Sequence, residues 1–582
     1  MAGHWNTDVD VAICGGGFAG LLLARQMRLQ NPEATVAVID RLTRPLPEAA
    51  FKIGESTVEL ASYYMRDILQ MADYMDQAHL RKLGLRFFFS DDKGNADVAG
   101  RPEYGLSNFA TKPSYQIDRG RFENDLRDMI VADGAQLMEG TRILGVEINE
   151  GEAPHVVTYQ REGEEPQTMT ARWVIDASGR KQMIQRQLGL SKRREADHNA
   201  VWFRVDGEFN VDDLVPASDT AWHDRVPGRK RWFSTNHFVG NGYWVWIIPL
   251  ASGKTSIGIV ADQNYHPLET FQTRPRALEW LAKHEPALAR HLENFELLDF
   301  GAIKNYSHTS SRTFSADGWA CIGDAGVFAD PMYAPGADLV SFACCCTSWL
   351  VAEDMAGRLT PAMAEEKSRF IITLGELLTR SLQVNYHILG NPQAMATKLF
   401  WDITAGWAFV QPLMFGQTFL DSEKHAKIRE ASKNFFFMSL QMNTLFSDWR
   451  DKGKGILNFD FIDYLEVPEI RAMRERNLIP NKSIEDLVED QHLNMRLMED
   501  MTLVMLRMAV ADCLPEHAHK LEGRWLNPFA ISLNPDEWEE RGLFKPRSEP
   551  RDLSYLTDPL YAMFNVPEPT EPDEARQIAP AA

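Results

Sequence analysis

One segment near the amino terminus indicates the architecture of this 582-residue chain: Asp8-Val9-Asp10-Val11-Ala12-Ile13-Cys14-Gly15-Gly16-Gly17-Phe18-Ala19-Gly20. Its first half, Val9 to Cys14, is mostly apolar and predicts a buried strand, and the three glycines after it predict a tight turn. Phe18 to Gln30 has helical periodicity, and Thr35 to Ile39 is rich in β-branched residues. Strand, glycine turn, helix and strand in this order predict a βαβ unit.

The glycine turn fits the pattern G-x-G-x-x-G of dinucleotide-binding units. In this pattern Gly15 permits the sharp turn, Gly17 lets phosphate groups approach the backbone, and Gly20 lets helix and strand pack closely. The amino terminus of the helix would bind pyrophosphate. Asp40 closes the second strand about twenty residues on, where an acidic residue accepts hydrogen bonds from ribose hydroxyls. The residues predicted to contact a dinucleotide here are Gly15, Gly17, Phe18, Ala19, Gly20 and Asp40.

Composition excludes several classes of function. The chain has 82 acidic and 61 basic residues, and its formal net charge of −21 would repel phosphate backbones, so nucleic acid is not an expected partner. The first eight residues lack a basic leader followed by an apolar run, and we find no uninterrupted apolar stretch of the roughly 20 residues needed to span a bilayer. We therefore expect a cytoplasmic protein without a membrane span.

The cysteines and histidines do not have metal-site spacing. The six cysteines are Cys14, Cys321, the run Cys344-Cys345-Cys346, and Cys513. They contain no C-x-x-C pair, so we expect reduced, mostly buried thiols. The fifteen histidines include no H-E-x-x-H pattern, and we expect no metal.

Two later segments are predicted to return to the nucleotide domain, Trp173 to Arg180 and Trp319 to Ala325. The domain would then be discontinuous, over 1–350. Between these segments, aromatic and β-rich runs with turn signals predict an inserted antiparallel sheet at about 200–315, which would roof a ligand site.

A predominantly helical region is predicted at 351–545, because runs rich in Met, Phe and Leu have helical periodicity there. Such composition suits a cap over an apolar aromatic ligand and also ordinary core packing. Residues 546–582 are rich in Pro, Glu and Asp and predict an extended or disordered tail. The predicted fold class is α/β: a Rossmann-like domain with an inserted antiparallel sheet and a mostly helical carboxyl-terminal region.

Tyr243-Trp244-Val245-Trp246-Ile247-Ile248-Pro249 has two interpretations. Aromatic and β-branched residues favour a buried strand, which Pro249 would end. The segment also resembles the W-x-W-x-I-P signature of the flavin-dependent halogenases, which belong to the FAD-dependent aromatic hydroxylase superfamily. The resemblance implies that Trp244 and Trp246 lie near a flavin and keep substrate away from it, which suppresses direct hydroxylation.

Several other segments carry the same resemblance. Gly323-Asp324-Ala325 resembles the G-D-A segment that contacts flavin ribitol and phosphate, which implies FAD rather than NAD. Gly54-Glu55-Ser56-Thr57 resembles a turn that lies along the flavin, and Arg119 begins an R-x-x-F-x-x-x-L helix start common to this class. The segment 176–180, D-A-S-G-R, is more similar to halogenases than to hydroxylases that bind NADPH directly. The FAD contacts implied by the resemblance are Ser56, Thr57, Arg119 and Asp324.

Arg81-Lys82-Leu83-Gly84-Leu85-Arg86-Phe87 resembles the segment that carries the catalytic lysine of phenol and pyrrole halogenases, although Leu85 replaces a small residue. The resemblance implies that Lys82 hydrogen-bonds hypohalous acid, or forms a haloamine, beside an electron-rich aromatic carbon. Local sequence alone favours a solvated surface lysine in a basic run. The combination with Trp244 and Trp246 favours the catalytic interpretation.

The segment 330–338 departs from the halogenase pattern. In that family a small-residue turn after G-D-A binds halide through backbone N–H groups. Pro335 has no N–H to donate, so the resemblance leaves Gly336 and Ala337 as the expected donors. Tyr333 replaces the glutamate that assists the lysine of tryptophan halogenases, which argues against a close copy of those enzymes.

The predicted function is that of a halogenase that uses reduced FAD, O2 and halide to form hypohalous acid and halogenate an electron-rich aromatic or enol-like substrate, free or tethered to a carrier protein. No second G-x-G-x-x-G lies in a strand-to-helix context, so electrons would come from transient NAD(P)H or from a separate flavin reductase, which the D-A-S-G-R segment favours. The alternative is an FAD-dependent monooxygenase or oxidase that incorporates no halide, which Pro335 and Tyr333 favour. An FAD-dependent reductase of an unsaturated chain and a non-catalytic flavoprotein are more remote alternatives.

Overall fold

The computed structural model describes residues 6–48, 52–90, 97–193, 198–545 and 548–567. The strands are β1 Asp8–Cys14, β2 Val36–Ile39, β3 Leu80–Arg81, β4 Leu85–Phe89, β5 Glu103–Gly105, β6 Tyr115–Gln116, β7 Gln136–Met138, β8 Thr141–Glu147, β9 His155–Arg161, β10 Gln167–Asp176, β11 Ser191–Arg193, β12 His198–Asp206, β13 Thr235–Gly240, β14 Tyr243–Pro249, β15 Lys254–Asp262, β16 Glu296–Leu297, β17 Gly301–Lys304, β18 His308–Ser310, β19 Phe314–Ser315, β20 Trp319–Cys321 and β21 Phe461–Asp463. The α-helices are α1 Phe18–Gln30, α2 Glu59–Tyr63, α3 Ala72–Ala78, α4 Arg119–Ala132, α5 Met183–Gln187, α6 Thr220–Arg225, α7 Arg274–His284, α8 Pro286–Leu292, α9 Pro335–Met355, α10 Pro361–Ile388, α11 Pro392–Ala405, α12 Gln411–Phe415, α13 Ser422–Ala431, α14 Phe435–Lys452, α15 Pro468–Asn477, α16 Ile484–Cys513, α17 Trp538–Arg541 and α18 Ser554–Phe564.

An eight-stranded sheet contains the predicted βαβ unit. Its centre has the order β20-β10-β1-β2-β7, and these neighbours are parallel. The predicted βαβ unit is confirmed, and the two later segments return to its sheet as the sequence predicts, β10 beside β1 and β20 beside β10. Val11 and Ile13 pack against α1, α4 and α9 on one face, whereas Ala12 and Cys14 pack on the other. Burial on both faces explains why β1 is apolar almost throughout.

A nine-stranded sheet lies beside it, in the order β16-β12-β15-β14-β13-β4-β5-β21, with β17 also paired to β12. Most neighbours are antiparallel, but β13 pairs with β4, and β5 with β21, in parallel. The predicted antiparallel sheet at about 200–315 is therefore incomplete. β4 and β5 come from before that range and β21 from the helical region after it. Parallel pairing of distant segments leaves no hairpin signal in the sequence.

β14 shows why both interpretations of its sequence hold. The strand is buried along its whole length, as its residue types predict. Trp244 and Trp246 join the core formed with α10, α11, α14 and α16, whereas Tyr243 and Val245 join the core formed with α7 and α8. Alternate residues of a strand face opposite sides, so the two tryptophans share one face.

The carboxyl-terminal tail differs from its prediction. α18 lies inside the predicted extended or disordered segment 546–582, and its residues Leu556, Leu560 and Phe564 are buried. Their four-residue spacing is that of one helix face, which packs on the helical region. The acidic, proline-rich composition is concentrated after Val566, and residues 568–582 of the predicted tail lie outside the described residues.

α9 is the one described helix that is long and apolar enough to cross a membrane, with a mean hydropathy of 1.3 in its most apolar window. Of that window, 72% is buried inside the protein, which is also expected of a core helix. The run Cys344-Cys345-Cys346 lies in this helix, and all six cysteines are free and buried, as predicted. Within the described ranges no three His, Cys, Asp or Glu side chains converge as metal ligands would.

Candidate active site

A cavity of about 490 Å³ lies between the two sheets. Its wall combines the carboxyl ends of the parallel strands β1, β10 and β20 with residues of β14 and the first turn of α9. Open α/β sheets bind ligands at the carboxyl ends of their strands. The predicted site residues in this wall are Gly17, Phe18, Ala19, Ser56, Arg119, Trp244, Trp246, Asp324, Gly336 and Ala337.

The glycine turn has the shape that a dinucleotide needs. Gly15 has a φ of +127°, and a Cβ there would lie 2.4 Å from the carbonyl oxygen of Ala177. A Cβ on Gly20 would lie 1.9 Å from the carbonyl oxygen of Gly15, so helix and turn are in direct contact. A Cβ on Gly17 would meet open space among the described residues, on the side of the cavity. These features fit the pyrophosphate of FAD.

Asp40 lies where the sequence predicts, at the end of β2, but its carboxylate is engaged within the protein. It accepts the backbone N–H groups of Gly16 at 2.5 Å and Leu42 at 2.7 Å. Arg127 lies 3.4 Å from the same carboxylate. Arg41, the next residue, belongs to the cavity wall. Contact between Asp40 and a ribose therefore stays a prediction.

Arg119 and Asp324 form a polar part of the wall. The guanidinium of Arg119 lies 4.5 Å from the ring centre of Phe18 and donates to the Ile53 carbonyl at 2.6 Å. Burial raises the pKa of Asp324, against the opposing effects of His308 and of Arg119. Thr57, the other predicted contact, is completely buried behind the wall. Its hydroxyl donates to the Tyr115 carbonyl at 2.9 Å, which indicates a structural role.

The turn before α9 has an unusual backbone. Tyr333 and Ala334 have φ values of +69° and +60°, in the left-handed region that side chains other than glycine rarely adopt. They lead directly into α9, where Gly336 and Ala337 line the cavity. Strained backbone of this kind persists only where its surroundings hold it, and it is frequent at functional sites.

Tyr333 is held by a buried polar group in the helical region. Its hydroxyl accepts a hydrogen bond from Asn385 at 2.7 Å and donates to Asp402 at 3.2 Å. Asp402 is in turn paired with the completely buried Lys398 at 2.5 Å. These hydrogen bonds attach the side chain of Tyr333 to the helical region. They thereby hold the strained turn in place.

Lys82 lies in the turn between β3 and β4, and its side chain is buried, with 4% exposed. Its Nζ donates to Ser56 Oγ and to the Thr57 carbonyl, each at 2.8 Å. Burial lowers the pKa of Lys82 to about 7, although the charges of Glu59 and Asp338 oppose this change. The alternative of a solvated surface lysine is wrong. Lys82 lies just behind the cavity wall, to which Ser56 belongs.

Trp244 and Trp246 lie side by side on the cavity wall, with ring centres 5.9 Å apart. The indole N–H of Trp244 donates to the hydroxyl of Tyr386 at 3.0 Å, and that of Trp246 donates to Ser256 at 3.2 Å. Gly258 stands opposite Trp246, and a Cβ there would lie 2.2 Å from the indole ring. Both rings are therefore fixed in orientation.

Asp330 is a wall residue that our sequence reasoning did not identify as part of the site. It accepts hydrogen bonds from Tyr306 at 2.7 Å and Tyr386 at 2.8 Å, and His198 Nδ1 lies 3.2 Å away. Burial opposes protonation of His198, but hydrogen bonds to Asp262 and Asp330 raise its pKa to about 9. The Asp-Pro pair after G-D-A was visible in the sequence. The hydrogen-bond partners of Asp330, however, lie 24 to 132 residues away from it.

Glu55 is a second unpredicted wall residue, although the motif around it was noted. Arg204 donates to Glu55 at 2.7 Å, and Ser256 donates to its other oxygen at 3.0 Å. Since Ser256 also accepts from Trp246, the carboxylate orients this tryptophan through one intervening hydroxyl. Burial raises the pKa of Glu55, against the opposing effects of Arg204 and Ser256.

His237 on β13 is a third unpredicted wall residue. Its Nδ1 lies 3.0 Å from the Arg86 carbonyl, and its ring stacks on Phe87 with 4.3 Å between centres. Burial lowers the pKa of His237 to about 3, so the ring is neutral at physiological pH. A single histidine within a strand does not indicate from the sequence that it will line a cavity.

Comparison with known proteins agrees with this geometry. The family model of the FAD binding domain matches residues 8–339, more than half of the chain. A flavin-dependent halogenase of Dictyostelium discoideum is 27% identical over 445 residues, which cover 70% of this chain and 71% of that protein. A 1H-pyrrole-2-carbonyl-(peptidyl-carrier protein) brominase of Pseudoalteromonas luteoviolacea (strain 2ta16) is 27% identical, over 57% of this chain and 74% of that protein.

Solved structures give the same fold. A halogenase in complex with phloroglucinol and FAD aligns with a TM-score of 0.60 at 15% identity, covering 90% of this chain and 100% of that one. The glycine turn, the polar wall and the cavity between the sheets suit FAD. The chain therefore belongs to the FAD binding domain family and, within it, to the flavin-dependent halogenases, which are FAD-dependent enzymes.

Proposed function

We propose that this protein halogenates an electron-rich aromatic or enol-like substrate and that Lys82 holds and directs the hypohalous acid. The observation that carries the proposal is the buried amine of Lys82, which lies 2.8 Å from a serine of the cavity wall. Reduced FAD, when bound, supplies with O2 the oxidation of halide to hypohalous acid. A lysine whose pKa is about 7 is present in both protonation states at neutral pH. It can donate a hydrogen bond as ammonium or act as a neutral amine.

Gly336 and Ala337 are our proposed halide donors. Both belong to the cavity wall in the first turn of α9, where backbone N–H groups have no partner within the helix. The positive end of the helix dipole favours an anion there. Pro335 precedes them and offers no N–H. This turn therefore has fewer N–H donors than the small-residue turn of the halogenase pattern.

Trp244 and Trp246 are proposed to separate substrate from the flavin. Their hydrogen bonds to Tyr386 and Ser256 support this role, because a barrier works only if the rings keep one orientation. Lys82 would then bind the oxidised halogen and deliver it to the substrate. We also propose contacts of Asp40 with the ribose and of Thr57 with the flavin, although the hydrogen bonds that Asp40 and Thr57 make within the protein leave these contacts less direct.

We infer that a separate flavin reductase supplies reduced FAD and that the protein works in the cytoplasm without a membrane span. One relative, by its name, brominates a pyrrole carried on a peptidyl-carrier protein, and one structural neighbour binds phloroglucinol. Both support a small electron-rich aromatic substrate, free or carrier-bound. The net charge of −21 would not attract an acidic carrier, which favours a free substrate.

A monooxygenase or oxidase without halide incorporation is the second candidate. Pro335 and Tyr333 favour it, because Pro335 lacks the amide donor that many halogenases offer at this position and Tyr333 replaces the carboxylate of the tryptophan halogenases. Both candidates need the same cofactor and the same cavity, so the product distinguishes them.

The test is mass spectrometry of products from purified protein supplied with FAD, a flavin reductase, NADH, O2 and either chloride or bromide. The substrates are a panel of phenols, including phloroglucinol, with indoles and pyrroles. We expect a product with the isotope doublet of chlorine or bromine that depends on the added halide. A product that gains one oxygen regardless of halide would contradict halogenation and support the monooxygenase.

A further inference from the structure

The hydroxyl of Tyr386 connects Trp244 to the segment that precedes α9. Tyr386 lies near the carboxyl end of α10 and is buried, with 1% exposed. Its oxygen accepts the indole N–H of Trp244 at 3.0 Å, and its O–H donates to Asp330 at 2.8 Å. One hydroxyl of the helical region therefore holds a residue of β14 and a residue of the segment after β20.

The direction of these two hydrogen bonds follows from the chemistry of the groups. An indole N–H can only donate, and an ionised carboxylate can only accept. Burial would raise the pKa of Asp330, but the hydrogen bond and the charge of His198 hold this pKa below its usual value. Burial also raises the pKa of Tyr386 well above its usual value, so the hydroxyl keeps its proton. Tyr386 thus joins a donor and an acceptor that cannot exchange roles.

Contacts of its ring also hold Tyr386 in place. The imidazole of His198 stacks on this ring, with 3.6 Å between ring centres and an angle of 25° between the planes. The Nδ1 of His198 lies 3.2 Å from Asp330, and its Nε2 lies 3.7 Å from Asp262. The hydroxyl of Tyr306 donates to Asp330 as well, at 2.7 Å. Tyr386 cannot turn without disturbing both the stack and the hydrogen bond to Asp330.

The end of α10 also holds the strained turn before α9. Asn385, the residue before Tyr386, donates to the hydroxyl of Tyr333 at 2.7 Å. Asp330 accepts the backbone N–H of Met332 at 3.0 Å through the oxygen that Tyr386 does not use. Two consecutive residues of α10 therefore bind both ends of this turn, which leads to the proposed halide donors.

We propose that Tyr386 is a positioning residue, which fixes the indole of Trp244 relative to the turn that leads to the proposed halide donors. The inference rests on the proposed function, since the separation of substrate from flavin by Trp244 is itself a proposal. A buried donor without an acceptor is costly, so the indole would turn towards another partner if the hydroxyl of Tyr386 were absent. The ring would then leave its orientation between substrate and flavin, and hydroxylated product would increase relative to halogenated product.

The first measurement is ¹⁹F NMR of the FAD-bound protein labelled with 5-fluorotryptophan, with the Trp244 signal assigned by its absence in Trp244→Phe. Tyr386→Phe removes the hydroxyl and keeps the ring that stacks on His198. We expect the Trp244 signal to shift in this variant, because the indole loses its acceptor. The ratio of hydroxylated to halogenated product, measured by mass spectrometry, should rise about 10-fold, which corresponds to one buried hydrogen bond.

Tyr243→Phe is the matched control. The hydroxyl of Tyr243 also donates to a buried carboxyl group, that of Glu285, at 2.9 Å. Tyr243 precedes Trp244 on β14, but its side chain packs in the core on the opposite face of the strand. We expect this variant to lower the thermal midpoint of unfolding as Tyr386→Phe does, while the Trp244 signal and the product ratio stay near the wild-type values.

A double variant shows whether Tyr386 acts through Trp244. In Trp244→Phe the indole N–H that Tyr386 accepts is already absent. We therefore expect Tyr386→Phe, added to Trp244→Phe, to leave the product ratio of the single Trp244 variant unchanged. A further 10-fold change of the ratio would overturn the role of Tyr386, because it would show an effect that does not pass through the indole.

The outcomes separate this inference from the proposed function. An unchanged Trp244 signal in Tyr386→Phe would overturn the role of Tyr386, whatever the activity. A shifted signal with an unchanged product ratio would also overturn it, because the orientation of the indole would then not control the product. A wild type that forms no halogenated product would count against the proposed function, while the ¹⁹F signal would still report on the contact between Tyr386 and Trp244.

Discussion

The two ends of the cavity are built by different means. At the nucleotide end, Gly15, Gly17 and Gly20 lie within six residues of sequence. Their fit depends on close contacts between backbone atoms, which leave no room for a side chain at Gly15 or Gly20. At the reaction end, Lys82 and Trp244 come from distant strands and are held by side-chain hydrogen bonds to other segments. A binding site made of local backbone is recognisable from a short motif. A reaction site made of distributed side chains is recognisable only once the chain is folded.

This difference predicts which property each end controls. Substitution in the glycine turn should change cofactor affinity and the packing of helix on strand together. Substitution at the reaction end should change product chemistry while FAD remains bound. The predictions on Gly20 and Trp244 test this division of roles, and the prediction on His198 tests how buried charges stabilise the reaction end. They run from the largest expected effect to the smallest.

Gly20→Ala should lose FAD affinity by at least about 100-fold and destabilise the fold by about 3 kcal/mol, because its Cβ would lie 1.9 Å from the Gly15 carbonyl oxygen. Gly17→Ala is the matched control, since its Cβ would meet open space within the described chain. It should weaken FAD binding by about 10-fold and leave the unfolding midpoint of the apoprotein unchanged. Flavin fluorescence titration and urea unfolding measure both. Equal effects of the two substitutions would contradict the steric account.

His198 should make stability depend on pH. Its folded pKa of about 9 lies above the value of about 6.5 for an unfolded histidine, so its protonated form stabilises the fold below pH 6.5. This contribution, on the order of 2 to 3 kcal/mol, should be lost as pH rises to about 9. His198→Gln should remove that part of the pH dependence. Urea unfolding of both proteins at pH 6 and pH 9.5 checks it, and parallel pH curves for both would refute the role of His198.

Trp244→Phe should have the smallest effect on stability, a loss of about 1 kcal/mol, because one buried hydrogen bond to Tyr386 disappears while that hydroxyl still donates to Asp330. Trp246→Phe is the matched partner, which loses a bond to Ser256. We expect FAD affinity to be retained in both, with a larger share of oxygenated product. Thermal unfolding and product mass spectrometry test this. A large drop in FAD affinity would show that the rings serve the cofactor instead.

The sequence predicts the nucleotide end well for physical reasons. A βαβ unit has its own periodicity and its own turn chemistry, so the residues from Val9 to Ile39 carry all the information needed. The strand Tyr243–Pro249 is similarly predictable, because its residue types favour burial and its period of two places both tryptophans on one face. The start of α4 at Arg119 also follows the predicted pattern.

The reaction end could be predicted only in part. The burial of Lys82 depends on the pairing of β3 with β6 and of β4 with β13. No pattern in the sequence indicates that these distant segments pair with each other. Asp330 was visible in the sequence, but its partner His198 is 132 residues away. The helix Ser554–Phe564 was missed because the acidic, proline-rich composition beyond it dominated the prediction of the tail.

Lys82→Met tests the central claim most directly, in an assay that compares two products of the same reaction mixture. One is the halogenated aromatic substrate, and the other is hypohalous acid captured by a diffusible halogen acceptor. We predict that Lys82→Met loses the halogenated substrate by at least about 100-fold, while FAD affinity and trapped hypohalous acid remain near the wild-type values. Halogenation of the substrate at the wild-type rate by Lys82→Met would contradict the account.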